Sequence, residues 1–240
     1  VQRRARMSVR RAFRYNQPED VQVAIHAERV LPEVRVVENG TLSIGDERIM
    51  LATKISLAVA KAGIFSVELG VPKDFDVETL TGVDVSHWDE TRGGDHGVIV
   101  YFKKQVTDAT ELNLVVARSE KGIEQKIVVP RVTVKDAAKH SGKLTVSGER
   151  GVRIMVDSHN GVDVKKASEE GIRQTGVLVF DILRPTWSIV LKTDVMAAQV
   201  KPEVLQWVDL TEGMLQCRAF VQYKIENAGE LFAVIHFYAS

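Results

Sequence analysis

The chain has 240 residues, with 32 basic and 32 acidic side chains and a formal net charge of zero. That balance gives no general attraction to nucleic acid or to an anionic membrane surface, and a hydrophobic content of 45% excludes disorder along most of the length. No apolar run reaches the roughly 18 residues of a membrane-spanning helix, and with Cys217 as the single cysteine there is no intramolecular disulfide and no cysteine zinc cage.

The chain opens on Val1 rather than Met, as expected of a piece of a longer protein. Arg3, Arg4, Arg6, Arg10, Arg11 and Arg14 come before the first acid, Glu19. One reading is a basic arm for anionic lipid, lipopolysaccharide or nucleic acid. The preferred reading is a solvated strand edge or linker, because Val9, Ala12 and Phe13 match Gly176, Val179 and Phe180. Nucleic acid is disfavoured, since no platform of basic and aromatic residues backs the arm elsewhere.

From Val21 onward the dominant period is two. "VQVAIHAE", "EVRVVE", "ERIMLATKISLAV", "IFSVELGV", "GVDVSHW", "HGVIVYFKK" and "ELNLVVARSE" follow one another. After "EQKIVVPRVTV" come "GKLTVSGE", "VRIMVD", "GVLVFDIL", "WSIVLKT", "LQCRAFVQYKIE" and "LFAVIHFY". β-Branched and aromatic residues alternate with charged ones, the pattern of half-buried antiparallel strands. Asn39-Gly40, Gly45-Asp46, Lys61-Ala62-Gly63, Arg92 to Asp95, Ser141-Gly142, Asn160-Gly161 and Ala228-Gly229 read as the turns between them. Pro130 breaks its run into two strands or marks a bulge. Only 165–174, "KKASEEGIRQ", reads as a short helix near 167–173, with Ser168 as cap. The expected fold is all-β, built of antiparallel β-sandwich units. Cys217 reads as a small buried side chain in its strand.

Three pairs of segments match: Ala12 to Pro18 with Val179 to Pro185, Val30 to Val34 with Val200 to Val204, and Ala62 to Val67 with Ala228 to Val234. Their offsets are 167, 170 and 167 residues, counted from Phe13 to Phe180, Pro32 to Pro202 and Phe65 to Phe232. The expected organisation is the tail of one repeat unit at 1–18, a complete unit at 19–185 (with 19–135 and 136–185 as possible subdomains), and the start of a third at 186–240. Framework residues recur between the copies, whereas His26, His236, Cys217, Trp187 and Trp207 do not.

The densest polar cluster runs from Ser86 to His96. His87, Asp89, Glu90, Asp95 and His96 are the weak candidates for a nitrogen and oxygen metal set; the preferred reading is a plain hairpin and no metal. Trp88, with His87, Asp89, His96 and Tyr101 around it, is the candidate ligand platform, although alternation sends Tyr101 and Phe102 to opposite faces. Asp157, Asn160 and Asp163 suggest a calcium loop but miss its spacing, and Asn160-Gly161 explains them as a turn. No nucleophile elbow, dinucleotide fingerprint or phosphate loop is present.

No cofactor is expected. The functional expectation is therefore a non-catalytic structural or interaction module of a larger tandem-repeat β protein of the bacterial cell envelope, periplasmic or extracellular. Its expected partners are neighbouring repeat units, with a glycan or protein ligand and no nucleic acid. The alternative is a carbohydrate-binding or enzyme-accessory module that uses Trp88 for stacking. A hydrolase or metalloenzyme built on the cluster from His87 to His96 is a third class.

Overall fold

The computed structural model describes residues 30–91, 96–119, 122, 124–197 and 199–226, together with Ala24, His26 and Glu28. The chain divides into Val1–Val30 and Leu31–Ser240, and the second unit carries every strand described here. The arginine-rich start, the segments matched at Ala12 to Pro18 and Ala228 to Val234, and the Arg92 to Asp95 turn lie outside the described residues. Of the predicted strand from Val21 to Glu28, Ala24, His26 and Glu28 are described and belong to no strand.

The all-β expectation holds: the described residues form sixteen strands and no helix. The first sheet has the order β12 (Val162–Lys165), β13 (Leu178–Ile182), β10 (Ala137–Gly148), β1 (Glu33–Ile44), β2 (Arg48–Ala60), β7 (Ala109–Ser119), β4 (Asp76–Thr81). A second has β5 (Val85–Thr91), β6 (Gly97–Val106), β3 (Ile64–Gly70), β9 (Thr133–Val134). A third has β11 (Val152–Asn160), β14 (Ser188–Val195), β8 (Lys126–Val128). The remaining pair, β15 (Gln199–Thr211) and β16 (Met214–Glu226), forms a sheet of its own.

Period-two alternation explains why these segments are strands. Val34, Val36, Leu42 and Ile44 of β1 point to one face and are buried, as are Ile49, Leu51, Ile55 and Leu57 of β2 and Leu112, Leu114 and Val116 of β7. These three strands lie side by side, so their inward rows merge into one apolar face. The same core takes in Val98 and Val100 of β6 and Ile189 and Leu191 of β14, and so joins all three sheets.

Several local expectations are corrected. The stretch predicted as a helix is a run of turns: Glu169, Glu170 and Gly171 donate to carbonyls three residues back, and Gly171 then takes a φ of +76°. That left-handed residue stops the helix before it can propagate. Pairing is antiparallel throughout except between β1 and β10, which run parallel.

Asn39-Gly40 and Ser141-Gly142 are not turns but lie inside β1 and β10, where Glu38 pairs with Gly142 and Gly40 with Leu144. A Cβ on Gly142 would sit 2.0 Å from the Glu38 carbonyl oxygen, so glycine here serves close strand approach. Asn160-Gly161 does turn, but it carries the chain from the third sheet into the first instead of closing a hairpin. Pro130 separates β8 from β9, in different sheets. Among the described residues no helix is long and apolar enough to cross a membrane.

Candidate functional site

A cleft of about 1000 Å³ opens where the second and third sheets present their edges to one another. β9 and the end of β3 supply one wall, through Glu68, Leu69 and Thr133; β8 and the segment after it supply another, through Lys126, Val128 and Arg131. Phe75, Arg118 and Trp187 also line it. The size lies at the top of the range of roughly 300 to 1,000 Å³ seen for small-molecule sites.

The walls are charged and mostly paired. Lys135 Nζ lies 2.8 Å from Glu68 Oε2, Lys126 Nζ 3.0 Å from Asp157 Oδ2, and Arg118 Nη2 3.1 Å from Glu124 Oε2. The Arg118 guanidinium also sits 5.6 Å above the centroid of Phe75, within reach of its ring face. Arg131 differs, because its Nη1 donates to a neutral acceptor, the Trp187 carbonyl, at 3.0 Å. Trp187 is only 2% exposed, and its indole N–H has no hydrogen-bond partner among the described residues.

Backbone geometry adds the second property of the cleft. The Val129 N–H donates to the Ile189 carbonyl and the Thr193 N–H to the Gln125 carbonyl, while Ile127 stands opposite Leu191. Antiparallel pairing alternates, so Gln125, Ile127 and Val129 face β14, whereas Lys126 and Val128 turn their N–H and C=O groups the other way. β8 is the last strand of its sheet, and Lys126 and Val128 are the residues that line the cleft.

The residues singled out in the sequence fall elsewhere, apart from His96. A bulge in β5 between Val85 and His87 sets the facing: His87 lies opposite Tyr101, and Trp88 opposite Val100. His87 stacks on the Tyr101 ring at 4.6 Å, on the outer face, while Trp88 is half-buried and packs against the core. Trp88 is therefore no open stacking platform. Asp89 shares the His87 parity, whereas Glu90 turns inward, where its Oε1 lies 2.7 Å from His96 Nε2. His96 Nδ1 faces the Pro72 carbonyl at 3.1 Å, an oxygen that can only accept, so this nitrogen is the donor of that contact. The proposed metal set is thus split between two faces, with Asp95 outside the described residues, and no group of three such ligands forms among those described.

Asp157 of the suggested calcium loop is engaged with Lys126. Cys217, expected to be buried, is exposed on β16. Nothing in the sequence singles out Arg131 or Lys126, and Trp187 stands out there only as a residue that fails to recur. The break at Pro130 was the one available signal, since a chain leaving one sheet for another leaves edges behind.

A second polar group lies in the first sheet. Thr53 Oγ1 donates to Glu38 Oε1 at 3.1 Å, and His140 Nε2 lies 2.9 Å from Glu38 Oε2. All three residues are at most 5% exposed, on the core face. Position 38 belongs to the inward row of β1, so an acid there was legible as a buried charge in need of a partner.

No protein-family model matches the chain, and no curated protein matches its sequence. Among solved structures it is similar to an M1 zinc metallopeptidase from Deinococcus radiodurans, at a TM-score of 0.44 and 9% identity, over 79% of this chain and 47% of that one. A two-domain M1 zinc metallopeptidase variant bound to L-tryptophan gives 0.45 and 9%, over 82% and 50%. Leukotriene A4 hydrolase from Saccharomyces cerevisiae gives 0.44 and 11%, over 72% and 31%. The chain thus spans about half the length, or less, of the proteins it matches, and their activities belong to those longer proteins. These neighbours are enzymes and none is a tandem-repeat envelope protein, so the expectation of a structural module of such a protein is not supported. The glycan-binding alternative falls with it, since Trp88 faces the core.

Proposed function

We propose that this chain receives an extended peptide segment in the cleft, by addition of a strand to the free edge of β8. The observation that carries this reading is the outward backbone of Lys126 and Val128 on a terminal strand that lines the cleft. An unpaired strand edge is a template for another chain: main-chain hydrogen bonds give affinity, and alternate side chains give specificity. Each bond made there contributes about 0.5–1.5 kcal/mol net. On this reading the described residues bind the segment and supply no bond-breaking step.

The test uses the 240-residue chain and a fluorescein-labelled decapeptide of alternating Val and Thr, read by fluorescence anisotropy. Val128→Pro removes an N–H that β14 does not use, at an edge position where proline is tolerated. It should weaken binding about tenfold or more, the loss of one to two main-chain bonds. Val83→Ser, at a position 86% exposed and away from the cleft, should leave affinity unchanged. Equal affinity for the Val128→Pro variant and the parent chain overturns the reading. Self-association of the chain that Val128→Pro abolishes, with no peptide bound, would assign the edge to a second copy instead.

A further inference from the structure

We infer that Arg131 and Trp187 together form a carboxylate seat inside the cleft, so that the segment it takes carries an acidic group; this rests on the strand-addition reading above. Arg131 is half-buried, and its guanidinium carries five N–H donors, of which the Trp187 carbonyl takes one. Lys126 and Arg118 each face a carboxylate of this chain, at 3.0 and 3.1 Å, but Arg131 forms no ion pair among the described residues. Its charge is left for a ligand to meet.

Trp187 supplies the second observation. Its indole N–H is buried and lacks an acceptor, a condition that costs stability until some oxygen arrives. The Nη1 contact is made to the Trp187 backbone carbonyl and sets the two residues side by side on one wall of the cleft. A carboxylate has two oxygens and accepts from several donors at once, and Arg presents a planar fork matched to it. Such a group could be an acidic side chain within the segment or the carboxylate at its C-terminus.

Both sources can be separated with the decapeptide. One pair carries Glu or Gln at a central position, with an amidated end; the other has a free acid or an amide at the C-terminus and no acidic side chain. With the parent chain, one member of one pair should bind about tenfold tighter than its neutral counterpart, and that pair identifies the source. Arg131→Gln should erase the preference, so that the acidic and neutral peptides bind alike, and Trp187→Phe, which removes the N–H along with part of the buried ring, should reduce it severalfold. Thermal melting of both variants checks that they fold. A preference that survives Arg131→Gln unchanged, or its absence from both pairs in the parent chain, overturns the seat. In either of those cases sensitivity to Val128→Pro would leave strand addition standing. If no peptide binds the parent chain, the seat and the strand-addition reading fall together.

Discussion

Glu38 and His140 show how one inward position commits a partner far along the chain. They are 102 residues apart in sequence and 2.9 Å apart in space, and both are buried. Removing one member of such a pair leaves a charge in the core, at about 3–5 kcal/mol, whereas apolar replacement of both is often close to neutral. His140→Leu should therefore lower the urea midpoint strongly, and Glu38→Leu combined with His140→Leu should restore part of the loss. A double variant less stable than His140→Leu would refute this.

At the surface, Glu33 lies 2.9 Å from Lys61 Nζ and 2.8 Å from Arg35 Nη2. Hydrogen bonding to Lys61 first, and to Arg35 second, holds its carboxyl below the ordinary value of 4.5. The sign follows from linkage: the stabilisation is fully present above pH 4.5 and is lost as the pH falls through the lowered value. Lys61 has a φ of 66°, a left-handed conformation that glycine accepts, so Lys61→Gly removes the ammonium without backbone strain. Carboxyl NMR of that variant should show Glu33 titrating closer to 4.5; an unmoved titration would reject the assignment.

At the scale of elements, the β15–β16 hairpin carries the clearest unanswered pattern. Opposite residues share a face, and one face holds Val200 with Ile225, Val204 with Val221, Val208 with Cys217, and Leu210 with Leu215. The other is largely polar, with Lys201 opposite Lys224, Glu203 opposite Gln222 and Asp209 opposite Gln216. Almost every residue of both strands is exposed among the described residues. A two-stranded ribbon is marginal in water, and an open apolar row is a binding or aggregation surface. In the 240-residue chain Cys217 should react with a maleimide at nearly the rate of a free thiol, and amides of β15 and β16 should exchange faster than those of β1 and β2. Slow labelling together with protected amides would mean that the face is covered.

The same scale shows which local signals mislead. Asn39-Gly40 and Ser141-Gly142 carry turn vocabulary, yet both lie in strands, because glycine permits a turn and also permits a neighbouring backbone to come close. Gly142 is needed by Glu38 of β1, a contact invisible from position 142 alone. Where no distant strand intervened, the reading was sound: Gly45-Asp46 does join β1 to β2.

At the scale of the whole molecule, the chain leaves the third sheet after β8 and enters the second at β9, passing Pro130 on the way. That crossing sets two short edge strands beside one cleft and brings Arg131 to the Trp187 carbonyl, 56 residues along the chain. The residues with the most conspicuous chemistry in the sequence, His87 to His96, were separated by alternation and a bulge in β5. Arg131 and Trp187, unremarkable in sequence, became neighbours.

Strands, their inward rows, and the burial of Leu51, Leu114 and Ile189 follow from residue order alone, because alternation is a property of adjacent residues and the core accepts only the apolar row. The sequence also marked Pro130 as a break between two strands or a bulge. Which strands pair, that β1 and β10 run parallel, and where two edges meet to leave a cleft emerge only in the folded chain. Those outcomes depend on backbone hydrogen bonds that every strand offers alike, so side-chain pattern does not encode them until distant segments compete for the same edge.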